Sequence, residues 1–229
     1  MYQKPPVTFA MTVIALGLAG FVLMAVLVHL GVGQELDRAL LLMLRDPLNT
    51  SDALGPAWFE EAAGEVTALG SYTVIGMAAV IALACLLFLR QRFAALFLAV
   101  TLIGGSLVST LTKQFFDRPR PDVVDHMDQI FTASFPSGHA MVSMLAWMTL
   151  AVITIRFVPR HGLRVFILWA ALVLALLIGV SRVYLGVHWP SDVIAGWCLG
   201  LAWASLAWLV AHYVAAGRER SSPVGHSRT

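Results

Sequence analysis

Six apolar runs set what this chain can fold into. They fall at about 8–30, 70–89, 93–113, 139–156, 165–184 and 191–214. Each reaches or approaches the roughly 20 helical residues that cross a hydrocarbon core. Hydrophobic residues make up 59% of the 229 positions and charged residues only 12%, with a mean hydropathy of +0.81. A water-soluble domain of this length needs far more polar surface. The expected fold class is therefore an all-α integral membrane protein with six transmembrane helices and short amphipathic helices in the first outer loop. Six crossings leave little chain for anything else, so a single domain is expected over 1–216. A disordered tail is expected over 217–229, where Arg218, Arg220 and Arg228 stand among Ser, Pro and Gly. The first run is too long for a signal peptide, and no small-residue cleavage site precedes Gln34-Glu35, so it is read as a transmembrane helix.

The net charge of +2 says little, but its distribution is informative. If six helices alternate, Lys4, Arg90, Arg92, Arg156, Arg160, Arg164, Arg218, Arg220 and Arg228 share one side of the membrane. Almost every acid falls on the other side, Glu219 being the exception. Lysine and arginine mark the cytoplasmic side, which places both termini in the cytoplasm and the 31–69, 114–138 and 185–190 connections on the outer face, most simply of a bacterial inner membrane. Cys85 and Cys198 lie inside apolar runs and are read as packed free thiols.

Two connections are ambiguous. In the 31–69 stretch, Leu36, Leu40, Met43 and Leu44 recur at helical spacing around Asp37 and Arg38. Asp46-Pro47 stops that helix, and a second starts near Pro56 and runs through Trp58, Glu60 and Glu61. These helices are either a lid over a lipid chain or a plain interfacial connector. Between helices three and four, Asp122, Asp125, His126 and Asp128 invite a metal-site reading, but the polarity expected of a solvated loop accounts for them.

Three short stretches at the outer ends of helices three to six carry chemistry. Helix four begins at Pro136-Ser137-Gly138-His139. Ser137 suits the N-cap, and Gly138 lets an anion approach the free N–H groups and positive end of the helix. Lys113, Arg120 and Arg182 sit near apolar helix ends, where each alone could simply reach back to lipid headgroups. Around a helix N-terminus, the three together suit a phosphate group. Arg118 is either a fourth cation of that set or a loop residue paired with Asp117. His188 and Asp192 are four apart across the start of helix six. A carboxylate on one imidazole nitrogen leaves the other basic, as a nucleophile or base; the plainer reading is a capping pair. Phosphoryl transfer needs its oxygens neutralised, an in-line nucleophile and a protonated leaving oxygen. One histidine can attack, the other can donate, and the cations can do the electrostatic work usually given to magnesium. No Walker loop and no two-metal carboxylate cluster is present in the sequence, so neither metal nor cofactor is expected.

These motifs resemble those of the type 2 phosphatidic acid phosphatase (PAP2) superfamily, which also includes bacterial lipid pyrophosphate phosphatases and vanadium haloperoxidases. Its signature is Lys-x6-Arg-Pro, then Pro-Ser-Gly-His, then Ser-Arg-x5-His-x3-Asp. Lys113, Arg120 and Pro121 match the first part; Pro136, Ser137, Gly138 and His139 the second; Ser181, Arg182, His188 and Asp192 the third. The resemblance implies that His188 attacks phosphorus, Asp192 orients it and His139 protonates the leaving oxygen. It also implies that Lys113, Arg120, Ser137, Gly138 and Arg182 hold the phosphate oxygens. The implied activity is hydrolysis of a lipid phosphate or pyrophosphate, with undecaprenyl pyrophosphate, phosphatidylglycerol phosphate and phosphatidic acid as candidates. The expected partners are that lipid and the bilayer, with no nucleic acid and no assigned oligomeric state. A phosphotransferase of the same superfamily, a haloperoxidase and a non-catalytic membrane scaffold or transporter are the alternatives. The alternatives would show themselves by a phosphorylated lipid acceptor, by halogenation and by no phosphate release from any lipid.

Overall fold

Each apolar run is a helix in the computed structural model, which describes residues 7–122 and 133–221. In chain order the helices are α1 (Val7–His29), α2 (Gln34–Leu42), α3 (Ala57–Ala68), α4 (Tyr72–Phe88) and α5 (Arg92–Phe115). After them come α6 (Gly138–Thr154), a 3-10 turn (Ile155–Phe157), α7 (His161–Tyr184) and α8 (Pro190–Ser221). Among the described residues α1, α5, α6 with its 3-10 turn, α7 and α8 are each long and apolar enough to cross a membrane. Helices are the fitting solution, because a helix satisfies its own backbone groups where no water can.

The expected second span, 70–89, is the exception. As α4 it has 17 residues, about 25 Å at 1.5 Å per residue, short of a hydrocarbon core of about 30 Å. It reaches spanning length only together with α3, from which it is bent by 45°. The break has a local cause: the Ser71 hydroxyl accepts from the Val74 N–H at 3.2 Å, starting a new helix. At the other end of the chain, α8 continues past Gly217, where the tail was expected to begin, as far as Ser221. Residues 222–229 lie outside the described part, as do Asp125, His126 and Asp128 of the acidic loop.

The helix in the middle of the bundle is α6, packed by α4, α5, α7 and α8. Ile75, Met141, Val142, Leu145, Ala146 and Leu199 form the core where α4, α6 and α8 meet. The α6–α8 contact is very close: a Cβ on Gly196 would stand 2.7 Å from the Ser137 carbonyl oxygen, and one on Gly200 2.5 Å from that of Met141. Small residues four apart let two helix backbones touch where lipid supplies no hydrophobic drive. The indoles of Trp197 and Trp203 fill hollows at Gly179 and at Gly104 and Gly105. Their N–H groups reach the Ala175 and Thr101 carbonyls at 3.1 and 2.9 Å. Outward, Phe9, Leu16, Val22, Val100, Ile103, Phe166 and Trp169 are exposed, as suits a surface solvated by lipid.

Successive long helices alternate in direction. The α5–α6 and α7–α8 connections and α2 therefore lie at one end of the bundle. Arg90, Arg92, Arg156, Arg160 and Arg164 lie at the other. At the first end α2 is amphipathic in an unexpected sense: Leu36, Leu40 and Met43 point outward, while Asp37 is buried beside Leu41.

Candidate active site

The connection entering α6 is buried throughout, from Ser134 to Ser137. Ser137 is the N-cap, its hydroxyl accepting from the Ala140 N–H at 3.4 Å. Its own N–H donates to the Asp192 carbonyl at 3.0 Å, tying the starts of α6 and α8 together. At Gly138 a Cβ would point at the Tyr72 hydroxyl, Lys113 Cε and Ser109 Oγ, 3.4 to 3.7 Å away. The bare glycine thus forms one wall of a cavity of about 570 Å³, also lined by Lys113, Arg120, His139, Arg182 and His188. Six of the eight expected site residues line it. Ser137 and Asp192 stand immediately behind it.

Each cation is held from behind by neutral groups. Lys113 Nζ donates to the Ala133 carbonyl at 2.9 Å. Arg120 Nη1 donates to the Val187 carbonyl at 2.8 Å and lies 3.3 Å from His188 Nε2. Arg182 Nη1 reaches the Thr67 hydroxyl at 3.2 Å, bringing the end of α3 into the wall. Held this way, three positive side chains converge on one cavity beside a helix N-terminus, an arrangement that favours an anion with several oxygens.

His188 is 2% exposed. Its Nδ1 is 3.5 Å from Asp192 Oδ2 and 3.4 Å from Ser134 Oγ, while Nε2 is the ring nitrogen near Arg120. Asp192, fully buried, is saturated with donors. Its Oδ2 accepts from the Ser134 hydroxyl at 2.5 Å and the Trp189 N–H at 3.0 Å, and its Oδ1 accepts from Arg118 Nη1 at 2.6 Å. A buried carboxylate without such partners would be costly; with them it stays ionised and can hold the Nδ1 proton.

Burial pushes the His188 imidazole down to about 4, against the hydrogen bond and charge of Asp192, which raise it; the Arg120 and Arg182 cations push it down further. Above that value the ring is neutral and its Nε2 lone pair is available, so His188 is an unprotonated base across the neutral range. We expect a carbon-labelled histidine NMR titration in detergent, assigned with His188→Ala, to give a midpoint near 4 for this ring. A midpoint at the ordinary value of about 6.5 would show that burial and the neighbouring cations do not depress this ring.

Several residues escaped the motif reading. Arg118 does not join the cation set and does not pair with Asp117. It bridges Asp192 and Asp37, at 2.6 and 2.7 Å, on the far side of Asp192 from His188. Ser134 holds the second carboxylate oxygen. Ser191 binds Asp37 through its N–H at 2.9 Å and its hydroxyl at 2.5 Å. No spacing rule marks these residues. The nearest signal is that Ser134 precedes the N-cap by three positions.

A neutral imidazole nitrogen aimed at a cationic anion seat, with a second histidine in the wall, can attack a phosphoryl centre and protonate what leaves it. Fold and site together define the class: a helical membrane protein with a histidine-containing anion pocket at one end of its bundle. The family model of the PAP2 superfamily matches residues 94–216. Phosphatidylglycerophosphatase B of Bacillus subtilis is 30% identical over 187 residues, spanning 79% of this chain and 86% of that protein. An undecaprenyl-diphosphatase of Sulfolobus acidocaldarius is 31% identical over 125 residues, 52% of this chain and 56% of that one. Among solved structures, a transmembrane PAP2 type phosphatidylglycerolphosphate phosphatase from Bacillus subtilis aligns with a TM-score of 0.71 at 26% identity, covering 90% of this chain and 96% of the other. The chain belongs to the PAP2 superfamily and is a membrane lipid phosphatase of that family.

Proposed function

We propose that this protein hydrolyses the terminal phosphate of phosphatidylglycerol phosphate on the outer face of its membrane, through a phosphohistidine at His188. The observation that carries the mechanism is the convergence of Lys113, Arg120 and Arg182 on the cavity beside His188 Nε2. The substrate choice is supported by the relative matched along most of both chains, a phosphatidylglycerophosphatase. The outer-face placement is supported by the arginines of the α4–α5 and α6–α7 turns, which lie at the opposite end.

In the first half-reaction the phosphate oxygens sit among the three cations, the Ser137 hydroxyl and the Gly138 N–H. Asp192 holds the Nδ1 proton, and the Nε2 lone pair attacks phosphorus. The bond to the lipid oxygen breaks, and His139 supplies the proton that this oxygen takes up. In the second half-reaction His139, now neutral, takes a proton from water, whose oxygen attacks phosphorus. The N–P bond breaks, phosphate departs and His188 recovers its lone pair. A second reading, hydrolysis of undecaprenyl pyrophosphate, rests on the diphosphatase relative. The same seat would serve it, since both substrates present a terminal phosphate.

The test is phosphate release by the purified protein in detergent with excess EDTA. The panel holds phosphatidylglycerol phosphate, undecaprenyl pyrophosphate, phosphatidic acid and a water-soluble phosphate ester. Spheroplasts given the soluble ester from outside report sidedness. The expected result is EDTA-insensitive release favouring phosphatidylglycerol phosphate, and hydrolysis by intact spheroplasts. Preference for the pyrophosphate selects the second reading. A strict magnesium requirement removes the side-chain electrostatics from the mechanism.

A further inference from the structure

Behind Asp192 lies a closed polar ring that takes no direct part in the two half-reactions. Arg118 divides its two terminal nitrogens. Nη1 goes to Asp192 Oδ1 at 2.6 Å and to the Ser191 hydroxyl at 2.8 Å, and Nη2 goes to Asp37 Oδ2 at 2.7 Å. Asp37 also accepts the Ser191 N–H and hydroxyl. All of this is shielded from solvent: the side chains of Arg118, Asp37 and Asp192 are 9%, 8% and 0% exposed. The guanidinium lies 5.6 Å from the centre of the Trp189 ring, whose N–H is anchored on the Pro119 carbonyl at 3.0 Å. Asp37 comes from α2, outside the 94–216 segment that the family model matches.

We propose that Asp37 is a positioning residue for His188, acting by keeping the Arg118 fork from closing on Asp192. The proposal rests on His188 being the nucleophile. Guanidinium groups prefer to grip one carboxylate with both nitrogens. Here Asp37 occupies Nη2, so Asp192 is held through Oδ1 only. Its Oδ2 is left to Ser134, the Trp189 N–H and, at a long 3.5 Å, His188 Nδ1. That last contact is the one catalysis depends on, and the rotation of the carboxylate sets it. Without a charge at position 37, Nη2 is free to swing onto Oδ2. The carboxylate then turns toward Arg118, and the Nδ1 proton of His188 loses its acceptor. The first connection of the chain is thereby part of the catalytic unit.

Asparagine is the informative substitution. Asp37→Asn keeps an oxygen for the Ser191 N–H, so the start of α8 stays capped, but weakens the hold on Nη2. A misaligned nucleophile costs up to about 100-fold, and we expect kcat for the best lipid of the panel to fall about 10- to 100-fold. KM and inhibition by vanadate, which report the anion seat, should stay within about threefold. In an Arg118→Lys background, where no fork exists, Asp37→Asn should add less than about twofold. Unchanged kcat, a loss carried by KM, or full additivity in the lysine background would each overturn the proposal. If Arg118→Lys does not purify as folded protein, the division between kcat and KM in Asp37→Asn decides alone. His188→Ala, run in parallel, separates the two ideas. Activity retained there removes the nucleophile assignment itself, whereas a dead His188→Ala beside a fully active Asp37→Asn removes only the role of Asp37.

Discussion

Alanine at His188 is expected to end phosphate release, with a loss on the order of 10⁴- to 10⁶-fold, as when other enzymes lose their covalent nucleophile. The size of the effect follows from what the substitution leaves behind. Lys113, Arg120 and Arg182 are held by the Ala133 and Val187 carbonyls and the Thr67 hydroxyl, none of which belongs to His188. The anion seat therefore survives, and the variant should still bind vanadate and lipid. Asp192 keeps three of its donors, from Ser134, Trp189 and Arg118, so removing the ring does not strand a buried charge. A folded protein that binds and does not turn over is the signature of a missing nucleophile. Two measurements check it: phosphate release, and acid-labile phosphate trapped on the protein from labelled lipid, present in the natural sequence and absent from the variant. Turnover by His188→Ala within about tenfold of the original rate would leave positioning and charge alone to explain the reaction, and these do not form a covalent intermediate.

The parts of this protein that were legible in its sequence are those governed by local rules. Apolar runs become helices because a hydrocarbon core permits little else, and five of the six expected spans stand as uninterrupted helices. The span expected at 70–89 reaches crossing length only together with α3, because hydropathy does not register the Ser71 cap that starts α4 afresh and leaves it short on its own. The cavity residues were legible because they sit at helix ends, where a lysine, arginine or histidine beside an apolar run stands out. Their support was not. Arg118 and Asp37 are 81 positions apart, and Asp37 and Ser191 are 154 apart. Pairings of that range leave no periodicity. In a helix that reads as amphipathic, an acid is assigned to water, yet Asp37 faces inward because a buried arginine and a helix start await it.

At His139 the expected result depends on the substrate. With a lipid phosphate the leaving group is an alkoxide, which departs only as it is protonated, so His139→Ala should lower kcat by about 10²- to 10⁴-fold. With p-nitrophenyl phosphate the leaving phenolate needs no proton, and formation of the phosphohistidine should be nearly spared. The second half-reaction is not spared, because the same side chain takes the proton from the attacking water. The variant should therefore release a rapid burst of nitrophenol equal to the enzyme present, then turn over slowly while phosphoenzyme accumulates. Stopped-flow absorbance reads the burst directly. The geometry supports the separation of steps. His139 is in the first turn of α6, on the cavity wall but outside the Asp192 network, so its loss leaves His188 and its carboxylate where they were. Equal losses on both substrates with no burst would mean that His139 shapes the anion seat and carries no proton; the leaving oxygen would then take its proton from water or from the Lys113 ammonium or Tyr72 hydroxyl of the same wall.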